Sequence, residues 1–179
     1  MKKLGTMMIC GILLLCCVSD TYAWQLALGV QYSGVLGSGM EDNEFDQSPG
    51  FIGEFSISMP GSWEWVVWGM GGYQTENHVK NSSAKVRFWV PYYTEYRKII
   101  GSSSKFDPYL SIGAGWVMMA FDETEGADNQ CYLSAGIGSK LWMGEKMFLQ
   151  AAIKPYFLLW NDLEQNTGFE THLGIGFGM

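Results

Sequence analysis

Hydrophobic and polar positions alternate with a period of two along most of the chain after residue 23. Residues 24–33, WQLALGVQYS, carry apolar side chains at every even position and polar or small ones at every odd position. Residues 171–179, THLGIGFGM, repeat the alternation. Side chains of a β-strand point alternately to its two faces, so this period indicates strands, and no helical period competes with it.

Eight segments of this kind predict an all-β chain. The segment 63–73 is the least regular, and an uninterrupted strand there would place Val66, Trp68 and Met70 on one face. The predicted strands are 24–33, 51–59, 63–73, 85–97, 108–118, 131–141, 147–158 and 169–179.

Short and long connectors alternate strictly between these segments. The short ones carry turn-forming residues around 60–61, 101–107 and 144–145. The long ones are acidic or polar and cover 37–49, 75–83, 121–130 and 160–168. Because all long connectors then emerge at one end, we predict a closed, antiparallel, up-and-down β-barrel of eight strands.

Two kinds of eight-stranded barrel fit this pattern, and they differ in which face meets solvent. A lipocalin-type barrel points its apolar residues inward, whereas a transmembrane barrel points them outward to lipid. The second face here consists of Gln, Ser, Gly and Ala with scattered charges, which suits a narrow lumen better than a water-facing surface. The predicted strands 24–33 and 169–179 have the roughly 9–11 residues of a tilted transmembrane strand. The predicted interfacial aromatic girdle is Trp24, Trp63, Trp65, Tyr92, Tyr96, Phe169 and Phe177.

The first 23 residues have the features of a secretory signal peptide. Lys2 and Lys3 precede the apolar run 7–18, which is shorter than the roughly 20 residues of a spanning helix, and the segment ends at Ala23. We therefore predict a cleaved signal at 1–23 and a single barrel domain at 24–179. Cys131 is the one cysteine of that domain, which excludes an internal disulfide and a cysteine metal cluster.

Composition narrows the class of protein further. A formal net charge of −7 argues against nucleic acid as a partner. The chain is 47% hydrophobic and only 16% charged, so the apolar residues need a non-aqueous surface, which the outside of a membrane barrel provides. No residue pattern indicates a cofactor or a metal.

Charged residues on the second face are expected to project into the lumen. Two interpretations remain open for them: an ion-paired network that fills the lumen, or a narrow gated pore in which the pairs exchange partners. The predicted set is Glu54, Lys85, Arg87, Glu95, Arg97, Lys154, Glu170 and His172.

The long connectors concentrate acidic residues at one end of the barrel. The main groups lie at 41–46 and 122–128. Solvated loop surface is the simpler interpretation, and it leaves room for a surface partner. Loose binding of divalent cations is an alternative, although DETEGAD lacks the spacing of an EF-hand.

The chain resembles the small eight-stranded bacterial outer-membrane β-barrels of the OmpA, OmpX and OmpW kind. The resemblance rests on DPYLSIGAGW (107–116), on the hairpin CYLSAGIGSKLWMGEKMFLQAAIKPYF (131–157) and on the strand-terminated C-terminus. It implies a monomer in the outer membrane, contact with outer-membrane lipids and lipopolysaccharide, and insertion by machinery that reads the C-terminal strand. Such proteins usually end on an aromatic residue, whereas this chain ends on Met179 with Phe177 two positions earlier.

The resemblance leaves three functions to distinguish. A non-enzymatic structural or surface-interaction role leads, and narrow transport of small or hydrophobic molecules is the alternative. A lipid A-modifying enzyme is a minor alternative, because the deacylases among such barrels carry His-x-Ser-Asn. Neither His78 nor His172 has a serine at that position, so no catalytic residue is predicted.

Overall fold

The computed structural model describes residues 23–35, 48–78, 85–101, 103, 105–121, 127–159 and 167–179. All eight predicted strands are present. They are β1 (Trp24–Val35), β2 (Ser48–Met59), β3 (Trp63–His78), β4 (Lys85–Ile99), β5 (Phe106–Phe121), β6 (Ala127–Trp142), β7 (Met147–Leu159) and β8 (Thr167–Gly178). Within the described ranges, no helix is long and apolar enough to cross a membrane.

The strands form one closed barrel in chain order. Each strand pairs antiparallel with the next, and β8 returns to pair with β1. Phe177 of β8 lies opposite Leu26 of β1 on one side and opposite Met147 of β7 on the other. The C-terminal strand therefore closes the sheet, and the predicted up-and-down barrel is confirmed.

Three short connectors, 60–62, 100–105 and 143–146, lie at one end of the barrel, which we call the turn end. The opposite end is the loop end, and its connectors 36–47, 79–84, 122–126 and 160–166 fall outside the described residues.

The bounds predicted for the long connectors are wrong at several points. For example, β3 continues to His78, which pairs with Lys85, and β6 already begins at Ala127, opposite Ala120. A sheet ladder is made by backbone groups, so polar side chains do not end it.

The two faces of the wall have the predicted orientation. Outward-facing residues are apolar and exposed, with Leu28 60%, Ile112 65% and Trp116 63% accessible. Outward-facing residues occupy every second position of a strand, and the residues between them, which have the other parity, point into the lumen. For example, β7 alternates strictly between exposed and buried positions from Met147 to Leu158. An apolar exterior around a polar interior is the arrangement of a transmembrane barrel.

A β-bulge interrupts the alternation in β3. Ser56 of β2 lies opposite Val66, but the preceding residue, Phe55, lies opposite Trp68, so Val67 is an extra residue. Val66 is consequently fully buried in the lumen while Trp68 is 39% exposed. The prediction that these two side chains share a face is wrong, because a bulge shifts the parity of every residue beyond it.

Candidate functional site

Six charged side chains meet in the turn half of the lumen, and we call this group the plug. They come from five strands, and each is at most 3% exposed. The members are Glu54 of β2, Glu64 of β3, Glu95 and Arg97 of β4, Lys140 of β6 and Lys154 of β7. With three carboxylates and three cations, the plug is balanced in formal charge.

Arg97 is the centre of the plug. Its Nη2 lies 2.6 Å from Glu54, its Nη1 3.0 Å from Glu64 and its Nε 2.6 Å from Glu95. Nη1 also donates a 3.4 Å hydrogen bond to Gln150 of β7. The planar guanidinium presents its donors as a rigid fork, which lets one side chain bridge carboxylates on three strands.

The two lysines complete the network. Lys154 Nζ lies 2.6 Å from Glu95 Oε2 and 3.3 Å from Glu54 Oε1. Lys140 Nζ contacts Glu64 and Gln25. Each carboxylate of the plug thus has two cationic neighbours, which offsets the cost of removing its charge from water.

Neutral side chains fill the remaining hydrogen-bonding positions around Glu54. Tyr93 donates its hydroxyl to Glu54 Oε1 at 2.6 Å, and Gln150 donates its amide to Glu54 Oε2 at 2.7 Å. Aromatic rings cover all three cations of the plug, and Lys154, for example, lies 4.9 Å from the Tyr93 ring centroid, while Arg97 lies 4.8 Å from that of Tyr109. The turn half of the lumen is therefore occupied by side chains in direct contact.

A second polar group, the outer cluster, lies in the loop half and consists of Gln31, Tyr132, Glu170 and His172. Glu170 Oε2 accepts a hydrogen bond from the Tyr132 hydroxyl at 2.9 Å and lies 3.2 Å from His172 Nε2. Buried rings surround this group, since Tyr132 packs on Tyr156 with ring centroids 5.7 Å apart and Tyr156 packs on Trp89.

Six of the eight predicted lumen residues fall into these two groups. Glu54, Glu95, Arg97 and Lys154 belong to the plug, and Glu170 and His172 to the outer cluster. Lys85 and Arg87 lie on β4, but their side chains fall outside the described part of the chain.

The sequence pattern did not predict two plug residues, Glu64 and Lys140. Glu64 and Trp68 are both at even positions, so an uninterrupted strand would put them on the same outer face, and only the bulge turns Glu64 inward. Lys140 could have been found, because it shares its parity with Tyr132 and Ser134 in a regular strand.

Six of the seven residues of the predicted aromatic girdle lie near one of the two barrel ends. Trp24, Trp63, Trp65, Tyr96 and Phe177 lie near the turn end, where Trp65 and Tyr96 stack with centroids 6.0 Å apart. Phe169 lies near the loop end, and Tyr92 is the eighth residue of the 15-residue β4, away from both strand ends.

His172, the histidine whose side chain lies in the described part of the chain, does not form a nucleophile–base pair. His172 Nε2 faces the Glu170 carboxylate, and Nδ1 has no hydrogen-bonding partner among the described residues. The side chain of His78 and residues 82–83 lie outside the described part. Within that part, no group of three His, Cys, Asp or Glu side chains could hold a metal ion.

Comparison with known proteins gives matches in structure. No protein-family model and no curated protein sequence matches the chain. Ail of Yersinia pestis, in complex with the heparin analogue sucrose octasulfate, superposes with a TM-score of 0.62 at 14% identity, over 89% of this chain and 99% of that one. Neisserial surface protein A gives 0.62 at 12% identity, over 88% and 97%. The N-terminal barrel of Pseudomonas aeruginosa OprF gives 0.59 at 16% identity, over 89% and 98%.

These likenesses concern the fold, since the identities are low. The chain has the closed eight-stranded barrel of small outer-membrane proteins, and the predicted resemblance is confirmed at that level.

Proposed function

We propose that the protein is a non-enzymatic outer-membrane barrel that serves as a structural anchor for a surface-exposed interaction platform. The apolar exterior suits a bilayer, where outer-membrane lipids and lipopolysaccharide would contact the wall. The four long connectors would present the platform outside the cell. Phe177, held between Leu26 and Met147, lies in the strand that the insertion machinery would read.

The plug is the observation that carries this proposal. Arg97 joins β2, β3 and β4 and reaches Gln150 on β7, so a continuous set of side chains spans the lumen. Removing a partner from such a buried network costs about 3–5 kcal/mol, which disfavours spontaneous opening. A sealed lumen favours function at the connectors over transport through the barrel.

Replacing the long connectors distinguishes an anchor for a surface platform from a pore. Connectors 36–47 and 122–126 would each be exchanged for a two-residue hairpin turn, with the exchange of the turn 143–146 as the matched control. If the connectors form an interaction platform, cells that carry either long-connector replacement should bind host or bacterial surfaces less well, while their permeability to small solutes stays unchanged. Unchanged binding combined with altered permeability would contradict the proposal.

The acidic connectors favour a cationic partner. Glu41, Asp42, Glu44 and Asp46 fall in one connector and Asp122, Glu123 and Glu125 in another. Ail was solved with a polyanionic ligand, which these segments would repel. The protein should therefore be retained on immobilised polylysine and pass through immobilised heparin at low salt. Retention on heparin would contradict a cationic partner.

A narrow pore is the second candidate, and the sharing of carboxylates favours it. Glu95 contacts Arg97 through Oε1 and Lys154 through Oε2, and Glu54 also contacts both cations. Pairs that share partners can exchange them without leaving a charge unpaired. Glu95→Gln should change ion permeability if this exchange opens the lumen, whereas Glu145→Gln in an exposed turn should not.

The minor alternative, lipid A modification, has a direct test. The mass spectrum of lipid A from cells expressing the wild type would be compared with that from cells expressing His78→Ala and His172→Ala variants. The proposal expects identical acylation in all three. A wild-type acylation change that either variant abolishes would establish an enzyme.

A further inference from the structure

The outer cluster contains buried atoms without a hydrogen-bonding partner in the described part of the chain. Both amide atoms of Gln31, Oε1 of Glu170 and Nδ1 of His172 are in this position. Gln31 is 0% exposed, and the other two residues are at most 4% exposed. Each buried, unpaired polar group costs about 1–3 kcal/mol, so a fold rarely tolerates several together.

The register brings these three residues to one region of the wall. Gln31 of β1 lies directly opposite His172 of β8, and Glu170 precedes His172 by two positions on the same face. Glu170 Oε2 is already engaged by Tyr132 and His172, which leaves Oε1 for another partner. Gly71 of β3 provides room for the Gln31 amide, because a Cβ at that position would collide with Oε1.

The unpaired atoms require a partner that both donates and accepts. The Gln31 amide offers two donors and an acceptor, Glu170 Oε1 only accepts, and His172 Nδ1 can do either. A simple cation would satisfy only the acceptors, and a simple anion only the donors. Water satisfies both, and buried waters typically bind two to four polar protein groups.

We propose that Gln31, Glu170 and His172 form an internal water-binding site in the loop half of the lumen. The charged groups of the plug contact one another directly, whereas water bridges these three side chains of the outer cluster. Water bound there supplies the hydrogen bonds that the Gln31 amide lacks from protein groups.

Nuclear magnetic resonance on the refolded wild type tests the site directly. Cross-relaxation from long-lived water to the Gln31 side-chain amide is expected. Gln150 and Gln25 are internal controls, because their amides donate to Glu54 Oε2 at 2.7 Å and to Ser58 Oγ at 3.1 Å. A Gln31 signal no stronger than that of Gln150 would overturn the proposal, whatever the behaviour of any variant.

The near-isosteric variant Gln31→Met gives a second, two-sided test. If water binds the amide, the variant loses those hydrogen bonds, and the folded-to-unfolded ratio in urea falls about fivefold to tenfold. If the amide has no partner at all, its removal relieves an unpaired buried group and the ratio rises. An unchanged or increased ratio therefore overturns the site. The relaxation measurement uses the wild type and still decides the question if the variant fails to fold.

Discussion

At the residue scale, the plug shows how a narrow lumen tolerates charge. Arg97 has contacts with three carboxylates on three strands, and every carboxylate of the plug has two cationic neighbours. Buried ion pairs contribute little net stability compared with apolar packing. Removing one partner is nevertheless costly, because the remaining buried charge is then no longer fully compensated. The plug should therefore respond strongly to single substitutions and weakly to paired ones.

Arg97→Met should destabilise the barrel by about 3–5 kcal/mol, because it leaves Glu54, Glu64 and Glu95 with one cation fewer each. Unfolding in urea with lipid vesicles measures this loss. Lys98→Met is the matched control, since Lys98 bonds Gly61 at the barrel surface and surface charges contribute about 0–1 kcal/mol. Similar losses for both variants would contradict the central role of Arg97.

Glu64 and Lys140 should behave as a coupled pair. Glu64→Gln alone leaves Lys140 without its carboxylate partner, and Lys140→Met alone leaves Glu64 with Arg97 as its remaining cation, whereas the double variant removes both charges. We expect the double variant to lose less stability than the sum of the single variants, with a coupling energy of about 0.5–3 kcal/mol. Losses that add to within about 0.5 kcal/mol would show that the two side chains do not interact.

How well single residues could be predicted depended on the regularity of their strand. In strand segments without a bulge, parity alone assigned Glu95, Lys154 and His172 to the lumen, because a period of two leaves no other choice. Glu64 could not be assigned, since a single inserted residue in β3 reverses the parity and no local pattern marks the bulge. Contacts across the lumen, such as Arg97 with Gln150, depend on packing that strand spacing does not determine.

At the element scale, the bulge in β3 needs compensation on the outer surface. The inserted residue interrupts the ladder beside Val66, and backbone groups at such a break must still be satisfied in a lipid environment. Thr94 of β4 donates its hydroxyl to the Val66 carbonyl at 2.8 Å and accepts a 2.7 Å bond from the Trp65 indole. This chain of two hydrogen bonds holds the bulge that turns Glu64 inward.

Thr94→Val should destabilise the barrel by about 1–3 kcal/mol, because it leaves the Val66 carbonyl and the Trp65 indole without this partner. The matched control is Thr171→Val, whose hydroxyl bond to the Tyr32 carbonyl is longer, at 3.4 Å. Urea unfolding of both variants, followed by tryptophan fluorescence, checks the difference. A loss for Thr94→Val no larger than that for Thr171→Val would contradict this role.

At the scale of the whole molecule, closure is what makes the fold compatible with lipid. An open sheet would leave two rows of unpaired backbone groups in the hydrocarbon region, and each group would cost several kcal/mol. The alternation and the alternating connector lengths were sufficient to predict eight strands and their closure. Strand ends at the loop side were not predictable, because ladders continue through polar residues such as those before His78.

Removing β8 (Thr167–Gly178) should abolish the compact band that a folded barrel gives on an unheated SDS gel, because β1 and β7 would both become free edges. The full chain should shift in mobility on boiling. Removal of Met179 alone is the control, since within the described ranges its backbone contributes a single hydrogen bond, to the Trp24 carbonyl, and that variant should keep the shift. A heat shift without β8 would contradict closure.

Single-channel conductance of the refolded, heat-shiftable protein in a planar bilayer tests the central claim that the plug seals the lumen. The wild type should show no discrete conductance steps, and Arg97→Ala, if it folds, should show them because it removes the bridge across the plug. Discrete steps in the wild type, altered by Glu95→Gln, would contradict a sealed lumen and make transport the leading function.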